Sequence, residues 1–152
     1  MKCLSITLLS LFFLSSIHCQ IEKGIQTLEE AKTITDTILM DLTQDKVSEA
    51  FDKLREIWIL PAAEITLLEK QTLENFDLIK GRYGKRIGYK YVGKKTVEGV
   101  GCQYIYVLKH EKHALRFRIT YYQGVGNLWY LNAFTWDDLL PEIIEDQPII
   151  TD

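Results

Sequence analysis

Cysteine, proline and long apolar runs are all scarce in these 152 residues, and each scarcity excludes something. Two of the three cysteines, Cys3 and Cys19, fall in the first 19 residues. If that segment is removed, Cys102 is left alone and no internal disulfide can form. Cys102 alternates with Tyr104, Tyr106 and Leu108, which predicts a buried thiol rather than a reactive one. The longest apolar stretch, Leu4 to Leu14, is shorter than the roughly 20 residues a membrane helix needs, and no comparable stretch follows. A transmembrane span is therefore not expected. One serine, Ser48, follows residue 19, and no G-x-S-x-G elbow occurs. The glycines of VEGVG lack phosphate-loop spacing. The chain thus offers no catalytic residues, no cofactor motif and no metal set.

What is present begins with MKCLSITLLSLFFLSSIHC, which has the layout of a secretory signal: Lys2, an apolar core, then small and polar residues. Cleavage after Cys19 leaves Gln20 first. The alternative is lipidation of Cys19, although His18 stands where a lipoprotein signal wants a small residue. Export to the periplasm or medium is the expectation. Taking residues 1–19 from the 152 leaves 133, the size of one domain.

Ile25, Leu28, Ala31, Ile34, Ile38 and Leu42 recur at steps of three and four and predict a helix from about Glu22 to Leu42. Val47, Ala50, Phe51, Leu54, Ile57 and Trp58 predict a second, with Thr43 and Asp45 as capping candidates and Pro61 as its stop. Pro61 can also be the first residue of a third helix that buries Ile65, Leu68, Thr72, Phe76 and Ile79 and ends near Gly81 and Gly84. The period then changes to two. Ile87 to Tyr91, Cys102 to Lys109, Leu115 to Tyr122 and Leu128 to Trp136 read as four strands, with His110 to His113 as a turn and QGVGN as another.

Three helices followed by a four-stranded antiparallel meander predict an α+β domain, with the helices on one face of a curved sheet. All eight tyrosines lie between Tyr83 and Tyr130, as suits a sheet with one buried and one partly wet face. The expected domain covers residues 20–138. The tail, residues 139–152, reads as a short strap or a frayed end.

Charge is unevenly spread. Residues 20–79 carry a net −7, residues 80–118 a net +9, and residues 119–152 a net −6 with no lysine or arginine. Neutralisation between a basic sheet and acidic flanks accounts for this layout, and so does a surface that attracts an anionic partner. Nucleic acid is not expected of an acidic exported chain without a binding motif. A small anionic or amphipathic ligand, or a cell-envelope protein, fits better.

Arg116 and Arg118 share a strand face and could grip a carboxylate or phosphate through paired N–H donors. Thr120 and Tyr122 join them, as does Asn132 if the hairpin keeps parity. Arg116, Arg118, Tyr122 and Asn132 form the candidate ligand-binding set. His110 and His113 around Glu111 suit a hairpin tip better than a metal site. Asp137 and Asp138 suit a strand end better than acid-base work. Trp58 and Trp129 fall in the apolar phase of their elements as core residues.

The order of elements resembles the NTF2-like superfamily, also grouped with cystatin-like folds, in which helices pack into the concavity of a bent sheet. The segments IGYKYVGKK, YVLKHEKHALRFRITYY and WYLNAFTWDD after a glycine-ended helix resemble small exported bacterial proteins of unknown function, over residues 25–138. The resemblance implies a cone-shaped fold and says little of activity, because the superfamily hosts enzymes, carriers and scaffolds. Its enzymes, such as ketosteroid isomerase, place carboxylates or histidines in the cone. The cone-facing positions assigned here carry Arg, Tyr, Thr and Asn instead. The expectation is a non-enzymatic binding domain, with a sheet-mediated homodimer or an inhibitor-type protein partner as the alternative and a cone-pocket enzyme behind both.

Overall fold

The computed structural model describes residues 24–145. The expected leader at 1–19, the processing of Cys19 and the end of the tail lie outside them. Three helices precede a four-stranded antiparallel sheet of order β1-β2-β3-β4, so the α+β class read from the sequence is the observed one. Among the described residues no helix is long and apolar enough to cross a membrane.

Helix α1 spans Leu28–Thr43, six residues shorter at its start than the apolar stripe suggested. Thr27 caps it through Oγ1, which accepts from the Glu30 N–H at 3.1 Å. Ile25 belongs instead to a bridge with Trp129, exchanging two backbone hydrogen bonds of 2.8 Å. Helix α2 spans Val47–Ile57 and buries Val47, Ala50, Phe51, Leu54 and Ile57. Neither expected cap serves it. Asp45 has a left-handed φ of 61° and turns its carboxylate to Lys80 and Arg86, and Lys46 stands at the cap position without a side-chain bond.

Helix α3 spans Ala62–Tyr83, with Pro61 just outside it as N-cap. It ends at Gly84, whose φ of 83° and close contact with the Glu111 side chain leave no room for a Cβ. Trp58, beyond the end of α2, is extended and bridges Leu131, which covers part of the sheet edge.

The strands are β1 Arg86–Val97, β2 Gly101–His110, β3 Ala114–Gln123 and β4 Trp129–Asp137. Alternation along β2 and β3 sends Cys102, Tyr104, Tyr106, Leu108, Leu115, Phe117, Ile119 and Tyr121 into one core with the helices. Three tyrosine hydroxyls from this face reach α1: Tyr104 donates to the Leu28 carbonyl at 2.7 Å, Tyr106 to Asp36 Oδ1 at 2.7 Å, and Tyr121 shares a 2.8 Å bond with Thr35 Oγ1. Phe117 meets Phe134, Trp136 and Phe76 at the other end of the core. The space between helices and sheet at these strand positions is therefore occupied by side chains. Trp58 and Trp129 are buried there as expected, at 5% and 8% exposure.

Two further sequence expectations change. His110 is the last residue of β2 rather than part of a turn; it is buried, with Nδ1 3.0 Å from the Gly84 carbonyl oxygen. The tail contains a short helix, α4 Leu140–Glu145, which buries Ile143. Apolar residues in that segment are too few to show a period.

Candidate ligand-binding cleft

The register of the sheet determines which side chains share its outer face, the one turned away from α1 to α3. Ile105 pairs with Gly93 on one side and Arg118 on the other, Gln103 with Lys95 and Thr120, and Val107 with Lys90 and Arg116. Bulges at Ile87 and Val92 bend the edge strand β1. A Cβ on Gly93 would meet nothing within 4 Å, so the floor is open at that point. Helix α4 lies along the other side.

Between them is a cleft of about 400 Å³ lined by Val92, Gly93, Ile105, Gln103 and Ile143 and by six charged residues. Lys94, Lys95, Arg116 and Arg118 supply positive charge, and Glu142 and Glu145 supply negative charge. The cleft thus combines a net positive lining with an apolar wall, within the size range of small-ligand sites.

The two arginines do different work. Arg116 is 6% exposed and bound on all sides: Nε and Nη2 donate to Asp137 at 3.0 and 2.9 Å, and Nη1 donates to Glu142 at 2.6 Å. The hydrogen bond to Asp137 is the main reason its pKa is raised, against the opposing effect of burial. Arg118 touches the same carboxylate with one nitrogen, Nη2 to Asp137 Oδ2 at 3.0 Å. Its side chain is 39% exposed, and its buried Nε has no hydrogen-bond partner among the described residues. Burial alone would raise the Asp137 carboxyl, but hydrogen bonds from Arg116 and the Leu139 N–H, with both guanidinium charges, hold it below the usual carboxylate value.

The four residues singled out from the sequence are not one site. Arg116 and Arg118 line this cleft, whereas Tyr122 and Asn132 line a separate hollow of about 390 Å³ with Ile59, Val125 and Tyr130. Arg118 and Tyr122 are four residues apart on one strand, about 13 Å. Nor do the arginines face the helices, as the expected cone would have them: that face of β3 is Leu115, Phe117, Ile119 and Tyr121. Parity also breaks at Asn132. Thr120 pairs with Ala133 and Tyr121 with Leu131, which leaves Asn132 as an unpaired bulge residue.

Asp137, Glu142, Lys94 and Lys95 were missed as members of the site. A signal for Asp137 existed. The apolar phase of β4 switches from Trp129 and Leu131 to Phe134 and Trp136, which marks one inserted residue and brings Asp137 opposite Arg116. The histidines serve the fold: His113 packs edge-on against Tyr83 at 4.3 Å. Comparison of this chain with protein-family models, curated proteins and solved structures finds no match.

Proposed function

We propose that this chain is an exported, non-enzymatic binding domain that takes a small amphipathic anion, a carboxylate on a short apolar body, in the outer-face cleft. The carrying observation is Arg118: half-exposed, one nitrogen on Asp137, a buried Nε without a partner among the described residues, and Ile105 directly beside it on the floor. A guanidinium recognises a carboxylate through paired N–H donors, and the apolar wall would take the ligand's body. The leader pattern of residues 1–19 supports export, and the proposed site lies on the face opposite the cone that the resemblance to the NTF2-like superfamily implied.

The test is titration calorimetry of the full chain with hexanoate, hexanol and inorganic phosphate. Hexanoate is expected to bind with a dissociation constant of about 1 mM, as befits so few atoms, and more tightly than either of the others. Arg118→Ala should weaken it at least about tenfold. Equal binding of hexanoate and hexanol, or an unchanged Arg118→Ala variant, would remove the proposal.

A second reading rests on the separate hollow. Val125 is 90% exposed, Ile59 63% and Tyr122 50%, side chains that water solvates poorly and that mark contact surfaces. In this reading two copies meet at the β3–β4 hairpin, and sedimentation equilibrium should show a dimer that Val125→Glu dissociates.

A further inference from the structure

We infer that α4 is a built-in competitor for the cleft: its Glu142 and Ile143 occupy the places that an anionic, apolar ligand would take. This inference rests on the outer-face cleft being the binding site.

Glu142 places a carboxylate on Arg116 Nη1 at 2.6 Å, and the next residue, Ile143, places a branched apolar side chain in the cleft wall at 8% exposure. The strap thus presents a carboxylate beside an apolar body, the chemistry proposed for the ligand. Its attachment is slight. Ile143 is the one residue of α4 that is buried, while Ile144 is 64% exposed and the Glu142 side chain 53% exposed. A helix of six residues does not hold its shape in water alone, so α4 persists only while docked.

The other partner of Arg116 behaves differently. Asp137 is 20% exposed, lies on β4 itself, and grips the guanidinium through two nitrogens. Displacing Glu142 therefore leaves Arg116 held in position by Asp137, with Nη1 pointing its hydrogen at a vacated place. Arg116 and Arg118 would then act together on one ligand carboxylate. The strap sets a threshold: ligand binds only as tightly as it outcompetes residues 142 and 143.

Hexanoate titration of four full-length proteins, wild type, Glu142→Gln, Glu145→Gln and Ile143→Ala, separates this from simpler effects. Glu145 lines the same cleft, but no bond from it to Arg116 is present, so its variant controls for the loss of one negative charge. Glu142→Gln is expected to tighten binding about fivefold and Glu145→Gln less than about twofold. Ile143→Ala is expected to tighten it at least about threefold, although it removes apolar surface. Equal gains in the two glutamine variants would reduce the effect to charge and overturn the inference. So would weaker binding by Ile143→Ala, which would make Ile143 a wall of the site rather than a plug. Absence of hexanoate binding in all four proteins would overturn the cleft reading beneath it.

Discussion

The two faces of the sheet come from the same alternation along β2 and β3 and have been put to opposite uses. On the inner face Tyr104, Tyr106, Leu108, Leu115, Phe117, Ile119 and Tyr121 are no more than 2% exposed, and the tyrosine hydroxyls end on α1. On the outer face Gln103, Ile105, Arg118 and Thr120 are half-buried around a cleft; Gln103 donates to Thr120 there, while Arg116 and Arg118 bond to carboxylates at the end of β4 and on α4. One face spends its polar groups on fixing helices to sheet, and the other keeps charge near water. The lesson is that tyrosine on a strand is no sign of a wet face: three of the eight are deep core residues whose hydroxyls find helix partners.

The largest difference between the faces should appear in stability. Phe117→Ala removes a ring packed against three other aromatics and is expected to cost about 3–5 kcal/mol in urea denaturation. Its neighbour Arg118→Ala should cost less than about 1 kcal/mol, since that side chain is part-exposed and shares Asp137 with Arg116. Arg116→Ala falls between, at about 2 kcal/mol. It leaves the partly buried Asp137 with only Arg118 and the Leu139 N–H, a milder loss than in the fully buried pairs whose rupture costs about 3–5 kcal/mol.

Arg116 also shows how far the sequence was legible. The four strands, the three helices and the α+β class followed from periodicity, because a stripe at 3.6 or an alternation at 2 is written in local order. The arginine pair on one strand face was legible for the same reason. Its partners went unread, although the phase switch along β4 carried a trace of the first. Asp137 faces Arg116 only because of a bulge at Asn132, and Glu142 arrives on a six-residue helix too short to leave a pattern. The choice of face was misread as well, since alternation gives two faces and Arg116 and Arg118 were allotted to the one turned to the helices. The start of α1 moved to Leu28, where the Thr27 cap rather than apolar spacing decides it, whereas α2 begins at Val47, the first residue of its stripe, without the expected cap.

The faces should also fail at opposite ends of the pH scale. On the inner face burial, aided at Tyr106 by the Asp36 carboxylate, raises the phenols of Tyr104 and Tyr106, and burial pushes Tyr121 up to about 12. Unfolded tyrosines ionise from about pH 10, so this stability is present below that pH and lost as pH rises towards the folded values. Tyr106→Phe should make the alkaline fall in unfolding free energy shallower by about 1.4 kcal/mol per pH unit, as one linked proton disappears. On the outer face Asp137 is held low, so its contribution is present above about pH 3.9 and lost as pH falls through the lower folded value. The gap in urea midpoint between wild type and Asp137→Asn should therefore close below about pH 4. An Asp137→Asn gap independent of pH would mean that the arginines do not stabilise its charge.

The smallest effects are shifts of single amides, and they locate ligand most directly. In nitrogen-labelled full-length protein titrated with hexanoate, amide chemical-shift changes are expected at Lys94, Gln103, Ile105, Arg118 and Ile143, on the outer face and its strap. Shifts centred on Leu68, Thr72 and Trp136 on the helix side, or around Tyr122 and Val125 at the hairpin, would contradict the assignment of the outer face as the binding site.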